Sequence, residues 1–194
     1  MEKLAQNLTN FIQLNNPNLS DLQIKKIKFG LECFIGELTK FIIYIILFSM
    51  FSLTKYFLVA ALFFCVPRTL AGGYHEETYW RCFITSLLIF TSIVFIGVNI
   101  TLSFPIRFLL IAFIMVLMWM YAPVDHPNKP IISVQRRKRF RYLSLFVTAL
   151  FIVISFLLPQ KYTTVTILAL FVEAISLPMG EYIKRRSTNE TING

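Results

Sequence analysis

Six long apolar segments, separated by short polar loops, make up most of this chain and constrain its fold more than any other feature. They cover residues 41–53, 56–66, 83–98, 108–122, 142–158 and 163–180. A helix that spans a bilayer needs about 20 residues, with about 17–25 as the usual range. The last two segments approach that length, and the third reaches it if it extends to Leu102. The sequence therefore predicts an all-α, polytopic membrane protein of about six transmembrane helices.

The composition supports the same class of protein. Of the 194 residues 56% are hydrophobic and 15% are charged, whereas soluble domains have about 45–50% and 25%. This hydrophobicity excludes a disordered chain, and three cysteines, an odd number, do not fit a disulfide scaffold. The net charge is +9. In a membrane protein the distribution of such basic residues first indicates which side of the chain faces the cytosol. We therefore expect membrane lipids as partners and no nucleic acid.

The first two apolar segments are short for membrane spans. The first spans only if its helix begins near Cys33, and the second only if it runs through Pro67 and Arg68 towards Gly72. Proline inside a helix removes a hydrogen bond and bends the backbone. We expect this hairpin to be tilted, kinked at Pro67, or partly at the membrane interface.

Residues 1–30 predict amphipathic helices at the membrane interface. The segment has no central apolar run and is therefore not a cleavable signal peptide. Its apolar residues recur at helical spacing until residues 15–18 interrupt the pattern, and Ser20 or Asp21 can cap the helix that follows. We expect one integral-membrane domain over 1–194. It consists of this segment, a transmembrane bundle at 31–183 and a polar cytosolic tail at 184–194.

The positions of the basic residues predict the orientation in the membrane. If the N-terminus is cytosolic and there are six spans, all Lys and Arg residues except Lys55, Arg107 and Lys161 lie on the cytosolic side. Cytosolic loops of membrane proteins carry an excess of Lys and Arg. The sequence therefore predicts that both termini are cytosolic.

The loop between the second and third spans contains His75 and Cys82, the two residue types that form a cysteine nucleophile and its base. On one unbroken helix their spacing corresponds to about 10.5 Å along the axis, which is too far for a hydrogen bond. His75 must therefore lie in a turn that folds back over the helix carrying Cys82, and Gly72-Gly73 permits such a turn. Cys82 would then occupy the first helical turn, where the helix dipole and Arg81 favour a thiolate. The alternative interpretation is a simple polar linker.

Other thiols and imidazoles in the sequence are weaker candidates. Cys65 lies in an apolar run and Cys33 precedes the first span without a local base, so packing explains both. His126 is predicted on the same side of the membrane and is the rival base to His75. A metal site is not expected, because His75-Glu76-Glu77 has no second histidine at the required spacing. No cofactor is expected either.

Charged residues in the last part of the chain add two further hypotheses. Glu173 lies inside the sixth apolar segment, and an intramembrane carboxylate indicates either function or pairing between helices. We favour structural pairing. Residues 135–141 carry five positive charges. They predict a topology determinant on anionic lipid, a docking site for an acidic peptide, or both, with Arg136, Arg137 and Arg139 as candidate substrate-binding residues.

Taken together, these residues resemble the accessory gene regulator B (AgrB) family over nearly the whole chain. The resemblance rests on the spacing Arg68-x3-Gly72-Gly73-x-His75-x6-Cys82, Tyr121-Ala-Pro ahead of Lys129-Pro130 and a basic loop, and Glu173-Ala in the last helix.

The resemblance implies an integral-membrane cysteine endopeptidase of bacterial peptide quorum sensing, in the cytoplasmic membrane. Such enzymes remove the C-terminal tail of a small propeptide, AgrD, and close a thiolactone or lactone ring. The resemblance implies that Cys82 and His75 are catalytic and that Arg68 and Gly73 match further motif positions, assigned here to substrate binding. It is also compatible with a homodimer.

Two other classes of protein explain part of the sequence. A small transporter or lipid-binding protein would account for six spans, Glu173 and the basic loop. A non-enzymatic membrane adaptor would account for the basic loop and the amphipathic N-terminus. Neither class uses His75 or Cys82.

Overall fold

A computed structural model describes residues 2–16, 19–74, 76, 78–125 and 133–193, with side chains placed for 3–186 of these. The described part is 87% helical and contains no strand. Its seven helices are α1 (Glu2–Asn15), α2 (Asp21–Met50), α3 (Thr54–Ala71), α4 (Tyr79–Asn99), α5 (Phe104–Tyr121), α6 (Val134–Leu157) and α7 (Gln160–Asn193). All but α1 are long and apolar enough to cross a membrane. The prediction of an all-α protein with six candidate spans is confirmed.

The chain divides into two compact units, unit 1 at 1–51 and unit 2 at 52–194. Unit 1 contains α1 and α2. Ser20 caps α2: its hydroxyl accepts from the Gln23 backbone N–H at 3.4 Å, and the Gln23 side chain accepts from the Ser20 N–H at 2.9 Å. This reciprocal pair is a capping box, which sets the start of a helix. Helix α2 then continues through Gly30, so the second part of the predicted interfacial segment, from Asp21, and the first span share one helix.

Helix α1 exposes an apolar face. Leu4, Leu8, Phe11 and Leu14 recur at helical spacing and are all exposed, Phe11 to 67%. A separate amphipathic helix of this kind lies in a membrane interface with its apolar face towards the lipid. The helix supports the predicted amphipathic N-terminus.

Unit 2 is organised around α7, which contacts α3, α4, α5 and α6. Within the membrane-length part of α7, 56% of the most apolar stretch is buried, against 11–39% in the other candidate spans. Its buried apolar side chains are Val165, Ile167, Ala169, Leu170, Ala174 and Leu177. Helix α7 is therefore the central helix of unit 2.

Small and aromatic residues set the packing around α7. A Cβ atom at Gly97 of α4 would clash with the Val165 side chain and lie 3.0 Å from its Cα atom, so the glycine allows α4 and α7 to approach closely. The Phe90 ring of α4 meets Phe57 and Phe64 of α3 edge-on, with centroids 5.3 and 5.5 Å apart. Edge-to-face pairs are a favourable arrangement of aromatic rings. These ring contacts hold α3 and α4 side by side.

Helix α3 continues through Pro67 to Ala71 and has 18 residues. It therefore includes Arg68, as a full second span requires. The length lies at the lower end of the range for a spanning helix.

Two loops meet at one end of unit 2. The α3–α4 loop covers 72–78, and the described part of the α5–α6 loop begins at Ala122, with a cis peptide bond before Pro123. Gly72 and Val124 form an isolated parallel bridge, in which the Val124 N–H donates to the Ala71 carbonyl at 2.8 Å. The α4–α5 and α6–α7 connections lie at the opposite ends of those helices. Arg68, Gly73 and Cys82, the described site residues next to these loops, thus lie at the same end of unit 2.

Candidate active site

Cys82 lies in the first turn of α4. The helix begins at Tyr79, and the Cys82 N–H donates to the Thr78 carbonyl at 3.0 Å, which closes the first turn. The Cys82 Sγ atom lies 4.0 Å from the Ser86 hydroxyl, and the side chain is half-buried. The N-terminal end of a helix favours an anionic group. The position is therefore the one that the sequence predicts for a nucleophile.

His75, Glu77 and the rival base His126 lie outside the described residues. The pairing of His75 with Cys82 stays a prediction. The residues on both sides of His75 are described, namely Tyr74 before it and Glu76 after it, and the contacts of Tyr74 show how the loop is held.

The double glycine forms a packed turn. Gly72 and Gly73 have φ angles of +77° and +127°, a region that residues with a Cβ atom rarely adopt. A Cβ atom at Gly72 would fall on the Val124 carbonyl, and one at Gly73 would lie 2.5 Å from the Ser176 hydroxyl. Both the backbone conformation and the lack of space therefore require glycine. The predicted role of Gly73 in substrate binding stays a prediction.

Arg68 connects three chain segments from the last turn of α3. Its Nη1 atom donates to Glu173 Oε2 at 2.9 Å and to the Ser176 hydroxyl at 3.0 Å. Its Nη2 atom donates to the Tyr74 carbonyl. The guanidinium also lies over the Phe64 ring, 5.2 Å from the centroid. These contacts are all with the chain itself, and a role for Arg68 in substrate binding stays a prediction.

Glu173 is completely buried in α7 and forms its ion pair with Arg68. The position of Glu173 predicts structural pairing between helices, and the partner is Arg68 of α3. A signal is present in the sequence, because intramembrane carboxylates often pair with a basic residue and Arg68 is the first basic residue after the second apolar segment.

The α3–α4 loop packs against α7. The Tyr74 N–H donates to the Ser176 carbonyl at 3.2 Å. A Cβ atom at Gly180 would lie 2.9 Å from the backbone of Gly73 and Tyr74, so the glycine lets the loop lie directly on the helix. The stretch of α7 from Glu173 to Gly180 is thus the support for the loop.

Asp125 ties the second loop to two helices. Its Oδ1 atom accepts from Arg137 Nη2 of α6 at 2.5 Å and from Lys184 Nζ of α7 at 2.6 Å, and its side chain is 5% exposed. The Arg141 Nε atom donates to the Ala122 carbonyl at 2.8 Å. Asp125 is not predictable as such a connection from the sequence, because nothing local to it indicates partners on distant helices.

The predicted substrate-binding arginines differ in their surroundings. Arg136 and Arg139 are exposed, as is Lys138 between them, whereas Arg137 is half-buried in the ion pair with Asp125. The basic run therefore contains two kinds of residue. Arg136, Lys138 and Arg139 are exposed, whereas Arg137 and Arg141 bind the α5–α6 loop. Whether the three exposed residues bind substrate stays a prediction.

Metal ligation has no candidate in the described part of the chain. Within those ranges no group of three or more His, Cys, Asp or Glu residues is placed to hold a metal ion.

The fold and this site define a class: a polytopic helical membrane protein with a thiol at the start of its third candidate span and a packed double-glycine turn before it. The family model described as Accessory gene regulator B matches residues 5–177. The chain therefore belongs to the accessory gene regulator B family. Membership supports a role in the accessory gene regulator system of quorum sensing.

Individual relatives cover most of this chain. A putative AgrB-like protein of Clostridium beijerinckii is 28% identical over 181 residues, which is 90% of this chain and 86% of the relative. Accessory gene regulator protein B of Staphylococcus haemolyticus (strain JCSC1435) is 27% identical over 175 residues, and that of Staphylococcus aureus (strain bovine RF122 / ET3-1) is 26% identical over 167 residues. In both cases the match covers 86% of this chain and 88% of the relative. No solved structure matches the chain.

Proposed function

We propose that this protein is a membrane cysteine endopeptidase that cleaves the C-terminal tail from a small AgrD-like propeptide and cyclises the remaining peptide. The observation that carries this proposal is the placement of Cys82 in the first turn of α4, directly after a loop that is anchored up to Tyr74. His75 follows Tyr74 in the chain. A thiol and an imidazole within hydrogen-bond reach of each other form an activated cysteine nucleophile, and this proposal requires His75 to reach Cys82 in that way.

The first half of the reaction is acyl transfer to the enzyme. His75 takes the proton from Cys82, and the thiolate attacks the carbonyl carbon at the cleavage site. The carbon–nitrogen bond then breaks, and the amine of the released tail takes the proton from the His75 imidazolium. The N-terminal part of the propeptide remains bound to Cys82 as a thioester.

The second half releases the product as a ring. A cysteine thiol or serine hydroxyl within the bound peptide gives its proton to His75 and attacks the thioester carbonyl carbon. The bond from that carbon to the Cys82 sulfur breaks, and the Cys82 thiolate takes the proton from His75. For a thiolactone, one thioester replaces another, so the step needs no nucleotide. Water is the competing nucleophile. A peptide bound in a bent conformation with its own nucleophile in place gains effective molarity over water, and a site that excludes water adds to this advantage.

Two features of the protein are suited to bind a propeptide: exposed basic residues in α6 and the apolar face of α1. The exposed Arg136, Lys138 and Arg139 form a positive surface near the same end of unit 2, suited to attract an acidic tail. The apolar face of α1 and the bilayer are suited to hold an apolar part of the peptide. With both termini in the cytosol, as the basic residues predict, this end of unit 2 faces the cytosol.

The test is cleavage of a candidate propeptide in membranes that contain the wild type, Cys82→Ala or His75→Ala. We expect cleavage by the wild type and none by either variant. Cys33→Ala and Cys65→Ala serve as matched controls and should cleave normally. Undiminished cleavage by Cys82→Ala or His75→Ala would overturn the protease proposal in favour of a transporter or an adaptor, for which both residues are dispensable.

A further inference from the structure

The residue that directly precedes His75 has both of its backbone polar groups bonded. The Tyr74 N–H donates to the Ser176 carbonyl at 3.2 Å, and the Tyr74 carbonyl accepts from Arg68 Nη2. A residue with both groups bonded cannot change its peptide orientation without breaking a hydrogen bond. These two contacts therefore hold the backbone at Tyr74, the residue that precedes His75 in the sequence.

Arg68 is in turn held by α7. Its Nη1 atom binds both Glu173 Oε2 and the Ser176 hydroxyl, and that hydroxyl lies 3.3 Å from the same carboxylate oxygen. The planar guanidinium presents several donors in a rigid fork, whereas a lysine has a single point charge. One nitrogen of Arg68 thus faces α7 while the other reaches the loop. Lysine at this position could not make both contacts in this geometry.

The burial of the pair argues for a geometric role. Glu173 is fully buried and the Arg68 side chain is 19% exposed. Burying two charges costs solvation that their attraction recovers only with good geometry, and apolar replacements of such pairs are often neutral or stabilising. Stability alone is therefore a poor reason for an ion pair at this place. Arg68 of this pair also binds the Tyr74 carbonyl, which points to a role in holding the loop.

The loop has little room to shift on α7. Added Cβ atoms at Gly73 and Gly180 would lie 2.5 Å from the Ser176 hydroxyl and 2.9 Å from the Tyr74 nitrogen. We therefore expect a change at Arg68 to break the hydrogen bonds of the loop rather than to shift the loop along α7.

From these contacts we infer that Arg68, Glu173 and Ser176 form a positioning network that fixes the segment carrying His75 and thereby sets the productive approach of His75 to Cys82. The inference rests on the proposed function. The three residues are positioning residues, since they act through the Tyr74 backbone. This role differs from the substrate binding that the motif position of Arg68 predicts.

The decisive variant is Arg68→Lys, because it keeps the positive charge beside Glu173 but removes the second arm that reaches Tyr74. Three properties are measured in the detergent-solubilised full chain and in membranes: the thermal midpoint of unfolding, amide hydrogen exchange in the peptide that covers 72–78, and kcat and KM for propeptide cleavage. We expect a midpoint close to the wild type and faster exchange in 72–78. We expect kcat to fall on the order of 100-fold, the size of effect that a misplacement of about 1 Å produces, with KM nearly unchanged.

A second variant and a matched control complete the design. Glu173→Gln keeps the shape of the side chain but weakens the hold on Arg68, and it should move exchange and kcat in the same direction as Arg68→Lys. Arg185→Lys alters a pair of the same chemistry at the helix surface, where Arg185 contacts Glu181 at 3.1 Å and is 75% exposed. It should change none of the three properties.

The possible failures are separable. If the wild type cleaves and Arg68→Lys raises KM alone, or if exchange in 72–78 is unchanged, the positioning network is wrong and Arg68 belongs to substrate binding or packing. If kcat falls only in proportion to lost folded protein, the network is structural and the inference is wrong as well. If the wild type cleaves no candidate propeptide but exchange in 72–78 rises in Arg68→Lys, the protease proposal fails while the anchoring of the loop stands.

Discussion

Arg68 and Glu173, 105 positions apart in the sequence, are joined by a 2.9 Å ion pair that connects the last turn of α3 to α7. The same guanidinium binds the carbonyl of Tyr74. Arg68 therefore connects a buried ion pair directly to the loop of the candidate active site. Several measurements follow from it and from the other contacts around it.

Stability and activity should separate at this ion pair. Glu173→Ala leaves Arg68 without its buried partner, and loss of one member of a buried pair typically costs about 3–5 kcal/mol. The double replacement Arg68→Met with Glu173→Leu removes both charges and should recover much of that loss. Propeptide cleavage should remain low in the double variant, because no donor reaches the Tyr74 carbonyl. Thermal unfolding and cleavage measured on the same samples check this prediction, and wild-type cleavage by the double variant would contradict it.

Gly72→Ala should disrupt the loop. The alanine would need a φ near +77° and would place its Cβ atom on the Val124 carbonyl, 2.9 Å from the carbonyl carbon. Gly30→Ala is the matched control, because no atom lies within 4 Å of the added methyl group and the site is within a helix. We expect the control to be as stable as the wild type or more stable by up to about 1 kcal/mol, as alanine favours helix. Thermal unfolding and cleavage by both variants provide the check.

The exposed basic residues should affect binding of an acidic peptide tail more than turnover. Replacing Arg136, Lys138 and Arg139 together by Gln should raise KM, and the difference from the wild type should shrink at high salt because salt screens exposed charges. Arg137→Gln is the comparison variant. It breaks the ion pair with Asp125 and should lower the thermal midpoint. A pure loss of kcat in the triple variant would argue against docking at this surface.

Orientation can be measured with a membrane-impermeant thiol reagent. In a background with Cys33, Cys65 and Cys82 replaced by Ala, Lys55→Cys should react in intact cells, because its loop is predicted to face outwards. Arg139→Cys should react only after the membrane is permeabilised. The reverse pattern would place the candidate site outside the cytosol. The same assay on the triple Gln variant excludes an inverted topology as the cause of its phenotype.

The sequence predicted the helices well wherever hydrophobicity alone decides them. Residues 83–98 and 142–158 lie almost entirely within α4 and α6. Helix α2 begins 20 residues before the apolar segment at 41–53, at the start that the capping residue Ser20 and the helical spacing predict rather than hydrophobicity alone. Its first half contains Lys25, Lys26 and Lys28, and a capped helix at an interface tolerates such residues although a hydropathy pattern does not register them.

The candidate site was predictable only where local properties of the chain decide the structure. The start of α4 near Cys82 and the turn at Gly72-Gly73 follow from local properties of the chain, a change from polar to apolar residues and a pair of glycines. The partners of Glu173 and Asp125 do not, because they depend on which helices become neighbours. Asp125 binds Lys184 across 59 positions, and no periodicity in either segment indicates that contact.

The position of α7 has a consequence for biogenesis. Both loops at the candidate site are attached to this helix, one through Ser176 and the other through Lys184. Because synthesis proceeds from the N-terminus, α4 and its thiol enter the membrane before α7 has been made. A nascent or truncated chain thus carries Cys82 without the support for the loop that precedes it, and the site is completed only when the last helix is inserted. Unfinished copies of the protein would therefore contain the reactive group without the organised site.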